Sequence, residues 1–248
     1  MKKIWSLILF MFLCLAPLFL ACSSSDSPSP SSPANSNAKN KIMPLGASRV
    51  DGDRPAYESY RYELWKRLTD GGYDFDFVGT RMDGSSYPAH NGQTFDVDHE
   101  GRGGITSGGI LSEINSWLNE LGSSPDIVLF SSPGGNDGID VYEQTKLNIN
   151  AIIDALQANN PNVTIFLELP APPLVSEQTS EFLSYYNQAL ADLPVLAAAQ
   201  TTATSRVIPI DMKTGFIDAY LADDVHYNEA GAMFIANKYY EELVKVLQ

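Results

Sequence analysis

Lys41-Ile42-Met43-Pro44-Leu45-Gly46-Ala47-Ser48 opens the part of the chain that carries a fold: a short apolar run followed at once by a Gly-x-Ser turn. An apolar run of this length bounded by turn residues reads as a buried strand, and the downstream sequence repeats the theme. Strands are expected at residues 41–45, 75–79, 126–131, 163–169 and 206–210. Residues 56–69, 109–121, 142–159, 177–199 and 229–247 carry the apolar periodicity of helices. Strands alternating with helices build βαβ units, so the expected fold is α/β: a three-layer α/β/α sandwich around a five-stranded parallel sheet.

Sheets of this kind place their sites outside the carboxyl ends of the strands. Gly46-Ala47-Ser48, Gly134-Gly135-Asn136-Asp137 and Asp223-Asp224-Val225-His226 all follow expected strands or sit at loop-to-helix junctions. Together they offer a nucleophile, a side-chain amide for a developing oxyanion, and an acid and a base three residues apart. A serine hydroxyl is a poor nucleophile near neutral pH and needs a base to take its proton. The chain has three histidines, His90, His99 and His226, and only the last stands beside a suitably spaced carboxylate. Asp223 has the spacing to bond one imidazole nitrogen and fix the tautomer; Asp224 is the competing acid, with a poorer spacing. Each segment also has an ordinary structural reading: Ser48 or Asp223 as a helix cap, Gly134 and Gly135 as loop formers, Asn136 as a loop cap. The combination favours chemistry. His99 and Glu100 read as solvent or loop-packing groups. No metal and no cofactor are expected, since no further His or Cys lies at ligand spacing.

The amino-terminal part is expected to be export and tethering sequence. Lys2 and Lys3 precede an apolar run over residues 4–21 broken only by Ser6, the pattern of a bacterial signal peptide. Phe19-Leu20-Ala21-Cys22 resembles a lipobox, which makes Cys22 a lipidated mature N-terminus. Residues 22–40 are rich in Ser, Pro and Asn and read as a flexible spacer, leaving residues 41–248 as one domain. The implied location is the bacterial cell envelope, with the domain anchored through lipid to a membrane, the outer membrane or the cell surface. Of the two cysteines, Cys14 lies in the segment to be removed, so none remains for bridges or thiol catalysis. Loss of Lys2 and Lys3 takes the formal charge from −14 to −16, which disfavours nucleic acid as a partner.

Four blocks in order make the chain resemble the SGNH hydrolases, also called the GDSL family, over residues 41–248. They are Ile42-Met43-Pro44-Leu45-Gly46-Ala47-Ser48, Gly103-Gly104-Ile105-Thr106-Ser107-Gly108-Gly109, Gly134-Gly135-Asn136-Asp137 and Asp223-Asp224-Val225-His226. The resemblance implies a flavodoxin-like sheet and Ser48, Asp223 and His226 as the catalytic triad. It also implies an oxyanion hole of the Ser48 and Gly104 amides with the Asn136 side chain. Ala47 stands where the family has aspartate beside the serine. That change removes turn-stabilising hydrogen bonds and leaves nucleophile, base and oxyanion donors present.

The stretch Tyr57-Glu58-Ser59-Tyr60-Arg61-Tyr62-Glu63-Leu64-Trp65, with Phe75-Asp76-Phe77-Val78-Gly79-Thr80 and Asp98-His99-Glu100-Gly101, is similar to the carbohydrate-esterase branch of the family. This implies removal of acetyl groups from polysaccharides such as xylan, with an acylated carbohydrate or other small ester as substrate. Two alternatives stand beside it. One is a lysophospholipase or acyl thioesterase, since the Gly-Ile-Thr-Ser-Gly-Gly and Gly-Gly-Asn-Asp-Gly segments also resemble such an enzyme. The other is a non-catalytic glycan-binding relative.

Overall fold

The computed structural model describes residues 37–247; the expected signal peptide, Cys22 and nearly all of the spacer lie outside them, as does Gln248. The chain runs β1 (Asn40–Gly46), α1 (Ser48–Asp51), α2 (Arg61–Asp70), β2 (Phe75–Phe77), β3 (Arg81–Met82), β4 (Asp98–Gly101) and α3 (Ser107–Glu120). It continues through β5 (Ile127–Phe130), α4 (Tyr142–Asn159), β6 (Thr164–Leu169), α5 (Ser180–Gln200), β7 (Arg206–Asp211) and α6 (Glu229–Leu243). The strand order is β3-β4-β1-β5-β6-β7, and β2 pairs with the first half of the β1 edge whose last two residues pair with β4. All pairs are parallel except β3 with β4.

Strand side chains alternate between two faces, and each face is covered by its own helices. Met43, Leu45, Val128, Phe130, Ile165 and Leu167 pack under α3, α4 and α5. Ile42, Ile127, Leu129, Phe166 and Ile210 face α2 and α6. Because both faces are buried, the strands read as continuous apolar runs, and each fully buried aliphatic side chain stabilises by about 1.5–3 kcal/mol over an exposed one. The three-layer sandwich is as expected.

The sheet has seven strands, not five. The five expected segments are all strands, and the two additions are β3 and β4. β4 is Asp-His-Glu-Gly, a sequence without apolar alternation. It enters the sheet because its polar side chains are satisfied: His99 Nδ1 accepts from the Gly101 amide at 3.1 Å, and Glu100 takes bonds from Thr80 and Arg102. His99 and Glu100 are accordingly buried packing groups, not solvent-facing ones. The second difference is α2, which begins at Arg61 instead of residue 56. The Asp53–Tyr57 and Glu58–Tyr227 bridges and a Ser59 Oγ bond to the Val50 carbonyl (2.8 Å) hold the preceding residues in an extended path. Non-local pairing there outweighs helical periodicity.

Pro44 lies in the middle of β1, where a missing amide would ordinarily break a ladder. The carbonyls of Lys41 and Leu45 accept from Asp126 and Ser131 on the β5 side, and those of Ile42 and Gly46 accept from Val78 and Arg102 on the other. By alternation Pro44 faces that second side, at the gap between β2 and β4, so no strand loses a bond.

Gly46 ends β1 where two backbones nearly touch. A Cβ there would lie 2.8 Å from Val50 Cγ2 and 2.9 Å from the Ser131 carbonyl oxygen. Gly46→Ala is expected to lower stability by about 1–3 kcal/mol, the usual cost of overpacking. An unchanged denaturant midpoint would show that this junction yields freely.

Candidate active site

β1 ends at Gly46, and the chain turns directly into α1, whose first residue is Ser48. Ala47 is the N-cap and makes no side-chain cap bond; its carbonyl alone closes the turn, accepting from Val50 (3.0 Å) and Asp51 (2.9 Å). The Ser48 hydroxyl, left free of any capping duty, lies 2.8 Å from Nε2 of His226. On the far side of the ring, Nδ1 lies 2.8 Å from Oδ2 of Asp223. Ser48, His226 and Asp223 therefore form one hydrogen-bonded chain.

The local sequence builds the second half of this chain. Asp223 Oδ1 accepts from the amides of Val225 (2.9 Å) and His226 (2.7 Å), an Asx turn that brings the imidazole back over the carboxylate. Burial works against the charged carboxylate, but the two amides and the imidazole outweigh it and hold Asp223 at about 2. Asp224 is exposed and turns its backbone to other work, accepting from the Leu174 amide at 2.9 Å. The cap of α6 is Asn228, whose side chain accepts from Gly231, so Asp223 does not serve there. The ring of Tyr57 stacks on His226 with centroids 3.9 Å apart and planes 16° from parallel.

Asn136 and Gly104 lie on two loops that are tied together. Asn136 Nδ2 donates to the Ile105 carbonyl at 3.0 Å. Asp137 accepts from both the amide and the hydroxyl of Ser107 at the start of α3 (2.9 and 2.8 Å). Gly104 has φ +75°, a conformation side chains disfavour. Its neighbour Gly103 donates to Asp51 Oδ2 at 2.9 Å, which fastens this loop to the helix that carries Ser48. Ala47, Ser48 and Asn136 line a common cavity of about 270 Å³.

His99 is buried, whereas His226 is only partly so. Burial, then the Arg61 guanidinium, push His99 down to about 2, so it stays neutral. Its Nδ1 is occupied by the Gly101 amide. Among the described residues no group of three His, Cys, Asp or Glu side chains is arranged to hold a metal ion.

Four contributors left little or no mark in the sequence. Arg49, next to Ser48, donates to the carbonyls of Val225 (2.9 Å) and Ala171 (2.8 Å) and to Ser132 Oγ (3.4 Å), and lies over the Tyr227 ring. It binds the His226 loop to the ends of β5 and β6. Ser132 itself has φ +42°, a strained value for a non-glycine residue, and Glu168 holds it there by accepting from its amide at 2.7 Å. Glu168 is fully buried, which raises its carboxyl pKa against bonds from Tyr239 and Ser132. A lone acid in Thr-Ile-Phe-Leu-Glu-Leu was the readable signal. Tyr57 left none, because its contact depends on the bridge between the neighbouring Glu58 and Tyr227.

Solved structures with this fold include a carbohydrate esterase family 3 protein from Talaromyces cellulolyticus, at 28% identity and TM-score 0.71, covering 84% of this chain and 97% of that one. An acetyl esterase mutant with acetate ion matches at 28% identity and TM-score 0.69, over 84% and 97% of the two chains. A family 3 carbohydrate esterase from Clostridium thermocellum matches at 30% identity and TM-score 0.67, over 84% and 96%. The chain belongs to the SGNH/GDSL hydrolases, in their carbohydrate-esterase branch. This SGNH hydrolase is thereby a carboxylic ester hydrolase by class. A curated relative, "Putative endoglucanase X" of Acetivibrio thermocellus, is 28% identical over 144 residues, 56% of this chain. The SGNH domain spans little more than half of that protein's length, 58%. No protein-family model matches the chain.

Proposed function

We propose that the protein is a serine esterase that removes acyl groups, acetyl foremost, from polysaccharides through a Ser-His-Asp triad and an acyl-enzyme. The observation that carries this reading is the hydrogen-bonded chain from Ser48 Oγ through His226 to Asp223. His226 Nε2 takes the serine proton as Oγ attacks the ester carbon, and returns it to the departing alcohol. Asp223, whose carboxyl is held down at about 2, accepts a hydrogen bond from Nδ1–H and stabilises the imidazolium. Water then attacks the acyl-enzyme with His226 again as base. The oxyanion of each tetrahedral intermediate is received by the amides of Ser48 and Gly104 and by Asn136, whose amide group has a second N–H beyond the one given to Ile105.

Acetylated carbohydrate as the substrate is supported by the carbohydrate-esterase relatives, and an envelope tether through lipidated Cys22 would set the domain among polymers outside the cytoplasm. Release of acetate from acetylated xylan by the purified protein tests the substrate, with loss of activity in Ser48→Ala as control; absence of release would reject a xylan-type polymer. Mass spectrometry of the mature N-terminus tests the lipid.

Asn136→Ala is expected to lower kcat by about 10²–10³-fold with little change in KM, since its amide acts on the oxyanion and not on the bound ester. A fall in thermal midpoint with unchanged kcat would make Asn136 a loop fastener only.

A further inference from the structure

The cavity beside Ser48 is much larger than an acetyl group requires. It measures about 270 Å³; Arg49, Ser132 and Asp137 give it a polar part, and Ile139, Pro170, Phe182, Tyr186, Ala189 and Leu193 an apolar one. Tyr186 presents its ring, because its hydroxyl is spent on the Pro170 carbonyl at 2.6 Å. Phe182 stacks against that ring with centroids 5.4 Å apart. An apolar cavity of about 150 Å³ is enough to hold benzene. The methyl of an acetyl group would leave most of the apolar lining uncovered.

Which half of the ester lies here follows from the residues that line it. Ser48 and Asn136 do, and neither His226 nor Asp223 does. The alcohol oxygen must face His226 Nε2 to be protonated as it departs, and the carbonyl oxygen faces the oxyanion donors. The remaining substituent on the reacting carbon is the acyl chain. A cavity touching nucleophile and oxyanion donor but not the base lies on the acyl side.

We infer that this cavity is an acyl pocket that seats medium-length aliphatic or single-ring aromatic acyl groups, so that the acyl range of the enzyme extends beyond acetyl. The inference rests on the serine-esterase reading. The volume also sets a ceiling: at less than twice the benzene-holding cavity, it cannot enclose a long lipid chain. Ala189 and Leu193, almost fully buried, form its floor.

The test is a series of p-nitrophenyl esters, acetyl, butyryl, hexanoyl, benzoyl and dodecanoyl, with the full-length protein, so that only the acyl group varies. Butyryl and hexanoyl esters are expected to stay within a few-fold of acetyl in kcat/KM, and dodecanoyl to fall about tenfold or more below hexanoyl. Ala189→Leu, which fills the floor, should lower the hexanoyl-to-acetyl ratio about tenfold. Phe182→Ala, on the partly exposed wall, should raise the dodecanoyl-to-hexanoyl ratio, and it keeps the question open to test if Ala189→Leu does not fold. Acetyl turnover with hexanoyl below a tenth of it, or ratios unmoved in both variants, would overturn the pocket and leave the esterase standing. If no ester in the series and no acetylated polymer is turned over, the esterase reading fails and the pocket with it.

Discussion

Ser48→Ala is expected to abolish ester hydrolysis, with kcat falling by about a millionfold, while folding is unaffected. The hydroxyl bonds His226 and caps no helix, so its removal leaves the β1–α1 turn closed by the Ala47 carbonyl as before. Groups that act as a unit are strongly non-additive: loss of the nucleophile or the base alone costs about as much as loss of both, roughly 10⁶ in kcat. His226→Ala should therefore be as inactive as Ser48→Ala, and the double variant no worse. Steady-state assays beside thermal melts decide the matter. Turnover surviving in Ser48→Ala within a hundredfold of wild type would move the nucleophile elsewhere.

Asp223→Asn should cost about 10⁴ in kcat, the loss expected when the tautomer of a triad histidine is reversed. The asparagine oxygen can still accept the Val225 and His226 amides, so the turn survives. Its NH₂ donates to Nδ1, however, and places the ring proton on Nε2, where no proton can then be taken from Ser48. Asp224→Asn should stay within a few-fold of wild type, because that side chain is exposed while its backbone serves Leu174. The opposite ranking would make Asp224 the acid. Because the folded value of Asp223 is depressed from 3.8 to about 2, its ionic contribution to stability is present above the ordinary value and is lost as pH falls toward 2. The side chain is half exposed, so solvent screening keeps that contribution small.

Much of the fold was legible because both faces of the sheet are buried. Apolar runs at β1, β5 and β6 announce themselves when nearly every side chain has a core to enter. β4 was illegible for the opposite reason: His99 and Glu100 are buried by hydrogen bonds to residues 80, 101 and 102, a solution that leaves no pattern of hydropathy. The start of α2 was misjudged because the sequence from 56 onward is periodic, yet Tyr57 and Glu58 are taken by extended pairing before a helix can form.

The site divides in the same way. The sequence by itself determined the residue types and their order, since Asp223 and His226 lie close enough in the chain for a local turn to join them, and Gly46 and Gly104 are required by backbone geometry. Only the tertiary structure decided which hydroxyl meets that imidazole, across 178 residues. It alone decided that Arg49 would gather three loop ends, that Tyr57 would cover the histidine, and that an apolar pocket would open beside the serine. Contacts of that kind form where strand ends from distant parts of the chain are brought side by side, and no local pattern of residues records them.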